Sequence, residues 1–302
     1  LYAAQLFRNP AAVERLFVSA VAALGLASAY GFLQHFGLDP FPWVTRNREE
    51  YRGLPASFGN PNFAGHALIV GIILAVVLLT ERGRRWLLLP LALMIAHLYV
   101  SGMRSGPLAL AAAAGIVALG WIFFRRLGYR PHLFLLLCVC LATAAIAAAV
   151  GGHYLLKQRW VPVESSLGLR YAALQTASEM VLARPLTGYG PGGYVRDSPP
   201  FWTGHEERWF AQKGQRNPYV HNEIVESAIE AGLPGALVLI ALYVYALLAS
   251  LHLASNREAA WRKLGLGLAA AFTALFVDGL FGFNLHVPVS AGLFFLLLGV
   301  LE

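Results

Sequence analysis

Four stretches of this chain, at residues 66–80, 86–100, 108–124 and 133–150, contain no Asp, Glu, Lys or Arg, and short segments carrying basic residues separate them. A helix needs roughly 20 apolar residues to cross about 30 Å of hydrocarbon, so consecutive runs of this kind read as membrane helices. Composition agrees: 58% of the chain is hydrophobic and 13% is charged, whereas soluble domains carry about 25% charged residues. The fold expected is all-α, one polytopic transmembrane helical bundle over residues 1–302. Its spans are expected near 11–36, 62–80, 86–103, 106–124, 132–151, 233–252, 263–283 and 287–301, with a long, partly helical loop over about 152–232.

The formal net charge of +7 is carried mainly by arginines in the loops, which points to membrane topology and phosphate binding and not to nucleic acid. Arg82, Arg84 and Arg85, then Arg125, Arg126 and Arg130, then Arg257, Arg262 and Lys263 fall on one side of the membrane if every span is real. The positive-inside rule makes that side cytoplasmic. Segments 37–61, 101–106, 152–232 and 284–288 then face the other side, and both termini are cytoplasmic. Cys138 and Cys140 stand at i and i+2 of one apolar run, so on a helix they point to different faces and form neither a disulfide nor a metal site. The first ten residues from Leu1 do not form a signal peptide, and residues upstream of Leu1 are expected.

The long loop holds most of the candidate chemistry. Residues 167–183 place Leu169, Ala172, Ala173, Thr176, Met180 and Ala183 toward one side of a helix that Pro185 ends. Gly188, Gly190, Gly192 and Gly193 follow. They resemble a nucleotide loop in composition only, because a helix and not a strand precedes them. They read as a structural turn that lets backbone pass close to a neighbour, with an anion held by backbone amides as the alternative. Residues 198–216 read as a surface excursion rich in Trp, Arg and Glu. A second helix is expected from His221 or Asn222, since Asn is a good N-cap, to a stop at Gly232.

Within this frame several residues stand out. An ionisable group at membrane depth is costly, and Arg104, at the external end of its span, either snorkels to headgroups or binds phosphate. Arg170, opening the first loop helix, is either a solvated or lipid-phosphate contact or part of a site, and Arg184 before Pro185 has the same alternatives. Asn222, Glu226 and Glu230 recur at i, i+4 and i+8 and share a helix face, with His221 beside them at the helix N-terminus. That terminus favours anions and lowers a histidine pKa, so the cluster is either a neutral imidazole near an anionic ligand or a capping histidine over a solvated acidic face. His205, Glu206, Glu207 and His221 lack metal-ligand spacing, and no Asp-x-Asp occurs, so no metal and no cofactor are expected. Asp278, His66 and His97 read as interhelical hydrogen-bond partners, with Arg104 as one candidate partner for Asp278.

Four motifs in this order, FGNPNFAGH (58–66), SGMRSGPLAL (101–110), Arg170 with ARPLTGYGPGGY (183–194), and HNEIVESAIEAGLPGAL (221–237), resemble the O-antigen ligase and polymerase superfamily of bacterial inner membranes. The resemblance implies a metal-independent glycosyltransferase that moves a glycan from undecaprenyl diphosphate onto an acceptor at the periplasmic face. The acceptor is the lipid A core in ligases, a growing polysaccharide in polymerases and a protein in pilin O-oligosaccharyltransferases. The partners it implies are the lipid-linked donor, a glycan, glycolipid or protein acceptor, and membrane lipids. The family's functional positions match Arg104, Arg170 and His221, and further helices are expected upstream of Leu1.

On that reading Arg104 and Arg170, with Arg184, bind the diphosphate and offset the charge growing on it. His221 is the general base for the acceptor hydroxyl, and direct displacement inverts the anomeric configuration. Asn222, Glu226 and Glu230 support it. Tyr189, Tyr194, Trp202, Trp209 and Phe210 are candidates for stacking on sugar rings. The competing reading is a non-catalytic transporter or scaffold for lipid-linked glycans, which commonly shows broken helices in matching halves; no such symmetry is visible here.

Overall fold

The computed structural model describes residues 7, 9–41, 54–81, 83–122, 166–214 and 216–302. The expected span at 132–151 with Cys138 and Cys140, and the loop arginines Arg82, Arg125, Arg126 and Arg130, lie outside them. Among the described residues every regular element is helical. The helices are α1 (Pro10–His35), α2 (Pro61–Leu79), α3 (Leu88–Val100), α4 (Ser105–Ile122), α5 (Ser166–Ala183), α6 (Gly193–Asp197), α7 (Gly204–Lys213), α8 (Glu223–Ala254), α9 (Ala259–Gly279) and α10 (Pro288–Leu298). Helices α1, α2, α8 and α9 are long and apolar enough to cross a membrane, and α3, α4 and α10 are shorter apolar helices. The protein is an all-α, multi-pass membrane protein.

Two compact units divide the chain: residues 1–129, 245–278 and 284–302 form the first, and 130–244 with 279–283 form the second. In the first, Asn9 and Asn60 cap α1 and α2 by accepting hydrogen bonds from Ala12 N and Asn62 N, each followed by a proline at the first helical position, where its missing N–H costs nothing. The helices approach closely. A Cβ on Gly71 of α2 would stand 2.6 Å from Leu24 of α1 and 2.8 Å from Met94 of α3, the small-residue contact that lets membrane helices gain dispersion energy. At one end of this unit Glu14 takes hydrogen bonds from Arg84 and Lys263, each at 2.8 Å, and Glu81 pairs with the same two cations. At the other, His97 Nε2 lies 2.7 Å from the carbonyl of Leu54 and its Nδ1 3.1 Å from Ser28 Oγ, which fixes the segment leading into α2.

The second unit is built on α5. Ala172, Ala173, Thr176 and Met180, four of the six residues the periodicity places on one side, are fully buried together with Ala177, while Leu169 is half-buried and Ala183 exposed. Tyr194, Val220 and Ile229 complete the core. The 198–216 stretch, a surface excursion by sequence, contains the helix α7. Glu206 and Glu207 lie in its first turn, where carboxylates complement the helix dipole, and Gly214 ends it in the left-handed conformation, its N–H donating to Phe210 O at 2.8 Å.

Gly232 breaks α8 with φ 72° and ψ −178°. The glycine turn docks on this break: Tyr189 N donates to Ile229 O (2.7 Å), Gly190 N to Glu230 O (2.9 Å) and Leu233 N to Pro185 O (2.7 Å). A Cβ on Gly232 would stand 2.5 Å from the Leu186 carbonyl, and one on Gly188 2.6 Å from Glu230 O. The turn is therefore a backbone clasp. Gly232→Ala is expected to destabilise the protein by at least about 2 kcal/mol, combining a positive φ with a backbone clash. A lowered unfolding temperature in detergent checks this; an unchanged one contradicts the clasp.

Candidate active site

The site grows from the head of α8. Asn222 caps the helix, its Oδ1 accepting from Ile224 N and Val225 N, each at 3.1 Å, so His221 stands just before the first turn. Glu226, buried at 0% exposure, accepts a hydrogen bond from Val220 N at 2.8 Å and turns the preceding strand of chain back over the helix. Between these two anchors His221 adopts φ 61°, a left-handed conformation that costs a non-glycine residue about 1–3 kcal/mol and persists only where its surroundings enforce it.

The segment 279–283 is the second half of the arrangement. Asn222 Nδ2 donates to Leu280 O at 3.2 Å and Arg170 Nη1 to Phe281 O at 3.1 Å. The ring of Phe283 stacks on Tyr219 at 4.2 Å between centroids and lies 5.2 Å from the ring of His221. Arg170 and the pair His221–Asn222, with Asn222 52 positions after Arg170, are thus brought onto one short segment. Sequence reading placed 279–283 inside a membrane span; α9 ends at Gly279 instead. The signal was present in DGLFGFN (278–284), where two glycines and two polar residues interrupt an apolar run.

The supporting residues take backbone roles. Glu230 Oε1 accepts from Gly192 N at 2.6 Å, so Glu226 and Glu230 hold two loop amides. The guanidinium of Arg184 lies 4.6 Å above the ring of Tyr189, a cation–π contact. Tyr194 OH donates to Glu206 Oε1 at 2.6 Å, and Thr176 donates to the other oxygen of the same carboxylate. Burial first, and then the neighbouring carboxylates, push the Tyr194 and Tyr219 phenols above their ordinary range, so both hydroxyls are donors at neutral pH. Among the described residues no group of three or more His, Cys, Asp or Glu is arranged to hold a metal ion.

Arg104 belongs to the first unit, exposed in the turn between α3 and α4. Its neighbour Ser105 donates to Asp278 Oδ1 at 2.8 Å, while Asp278 Oδ2 lies 2.6 Å from His66 Nδ1 and 3.1 Å from Asn284 Nδ2. Asp278 is fully buried and joins α2, α4 and α9 as an interhelical partner. It does so through His66 and Ser105, and Arg104 has no partner among the described residues.

No curated protein matches the chain. The family model described as O-antigen ligase matches residues 89–240, half of the sequence and the stretch that holds Arg104, Arg170, Arg184 and the whole His221 cluster. The chain belongs to the O-antigen ligase family, whose members are glycan-processing transferases of the ligase and polymerase kind.

Proposed function

We propose that the protein is an inverting, metal-independent glycosyltransferase of the bacterial inner membrane, moving a glycan from undecaprenyl diphosphate to an acceptor such as the lipid A core. A polysaccharide chain or a protein is the alternative acceptor. The observation that supports it most is His221, held in a strained conformation at a helix head, with Arg170 anchored on the same short segment as its ring partner Phe283.

The acceptor hydroxyl attacks the anomeric carbon as the bond from that carbon to the diphosphate oxygen breaks. The bonding pair leaves with the diphosphate and the hydroxyl proton passes to His221 Nε2 or Nδ1. Arg104 and Arg170 offset the charge developing on the leaving group through charge-assisted, bidentate hydrogen bonds, with Arg184 adding positive charge. Lipid diphosphate already carries its leaving group, so the step calls for no nucleotide. Asn222 and Glu226 fix the loop that carries His221, and Glu230 holds the glycine turn.

Vesicles holding only the purified protein, lipid-linked glycan and a lipid A core acceptor separate this from transport. The expected result is a new glycosidic bond, formed equally in a chelator; glycan crossing the bilayer with no new bond would make the protein a transporter. Sidedness has its own test. A cysteine replacing Gly204 is expected to react with a membrane-impermeant reagent added from the periplasm and one replacing Gly83 to stay unlabelled, and the reverse pattern would invert the topology.

A further inference from the structure

We infer that the corner where α5 meets the glycine turn, residues 182–186, dips into the phospholipid leaflet on the side of the long loop, with Leu182 and Leu186 among the acyl chains and Arg184 at the depth of the lipid phosphates. The inference needs only the membrane fold and holds whatever reaction the protein catalyses. Every residue from 182 to 187 is exposed, and the two leucines stand 74% and 72% open. Bare leucine costs free energy in water and none among acyl chains. Exposed Gln175, Ser178 and Glu179 lie a turn or two back along α5, and within 180–187 the only charged residue is Arg184.

What covers the leucines follows from the element beside them. The backbone joins the corner to the start of a membrane span: Leu233 N donates to Pro185 O at 2.7 Å, and a Cβ on Gly232 would stand 2.5 Å from the Leu186 carbonyl. From there residues 233–254 carry no Asp, Glu, Lys or Arg. Leu233, Leu237, Ile240 and Val244 recur at i, i+4, i+7 and i+11 of α8 and are all exposed, one helical stripe turned to hydrocarbon. Leu186, packed beside its first residue, extends that lipid-facing stripe past the break in the helix. Arg184 completes an interfacial anchor. Its guanidinium is exposed and lies 4.6 Å above the ring of Tyr189, and a basic side chain flanked by apolar ones reaches for headgroups while its neighbours enter the acyl region. The corner thereby holds Arg184 level with the diphosphate of a lipid-linked donor.

The test places a fluorophore at chosen depths in the full chain. Single cysteines are introduced as Leu182→Cys, Leu186→Cys, Gln212→Cys in α7 and Val238→Cys in the span, after Cys138 and Cys140, the two natural cysteines, are replaced by alanine. Both corner leucines are exposed, so their replacement leaves the core untouched. The labelled proteins are reconstituted in nanodiscs of phospholipid brominated either near the ester end or near the tail end of the acyl chains. Probes at 182 and 186 are expected to lose emission, most with bromine near the ester end, as for a face buried roughly 5–10 Å into the headgroup and acyl boundary. The probe at 212 is expected to keep its emission, and the one at 238 to lose it to the deeper bromine. Emission at 182 and 186 that bromolipid leaves intact and aqueous iodide quenches, as at 212, would put the corner in water. Emission that neither quencher touches would assign the leucines to a protein contact, such as a second copy of the chain. Either result overturns the inference.

Discussion

His221→Ala is expected to lower glycan transfer by roughly 10²–10⁴-fold, the range for loss of a positioned general base, with binding of the lipid diphosphate retained. The expectation follows from where the ring stands. It is set by backbone anchors on either side, Val220 N on Glu226 and the Asn222 cap, and neither depends on the imidazole. Alanine at 221 inherits the positive φ, so the loop keeps its shape and the ring alone is lost. Quantifying product in a single-turnover assay beside donor binding checks both halves. Retained transfer removes His221 as the base, and lost donor binding assigns it to substrate recognition instead.

Arg104→Lys and Arg170→Lys are each expected to cost about 10²–10³-fold in kcat, comparable to removing one donor that stabilises developing charge. Lysine preserves the positive charge but not the planar fork that grips two phosphate oxygens at once. For Arg170 a second effect adds to this, because its Nη1 also donates to Phe281 O and a lysine ammonium loses that fixed geometry. The discriminating readout is kcat against donor KM. A fall in kcat with KM little changed marks an interaction made in the transition state. A rise in KM alone would make these arginines docking residues only.

Much of the fold was legible because membrane burial writes itself into composition: α2 and the part of α8 beyond Gly232 carry no Asp, Glu, Lys or Arg. The buried face of α5 and the Asn222 cap were legible for local reasons, helix period and capping chemistry. The glycine turn was legible as a clasp because four glycines after a helix-ending proline suit close backbone approach. Helix α7 was not, since its apolar residues are only Trp209, Phe210 and Ala211, three in a row that give no repeat for a helical period to be read from, and the dipole and the Gly214 cap stabilise it.

The segment 279–283 escaped for a different reason. Its contribution to Arg170 and Asn222 is two main-chain carbonyls, and any residue supplies a carbonyl, so side-chain identity gives no hint. Partner choice was equally silent. Asp278 called for a polar partner, but only the placement of α2 and α4 selects His66 and Ser105 over Arg104. Long-range pairing of this kind lies in tertiary geometry and not in spacing along the chain.

The measurement that bears most directly on the central claim is the mass of the acceptor after purified protein is supplied with undecaprenyl-diphosphate-linked glycan in the presence of a chelator. The account predicts an acceptor heavier by the mass of the transferred glycan, joined with inverted anomeric configuration, and no such product with His221→Ala. An acceptor of unchanged mass beside consumed or translocated donor, or the same product from His221→Ala, would contradict it.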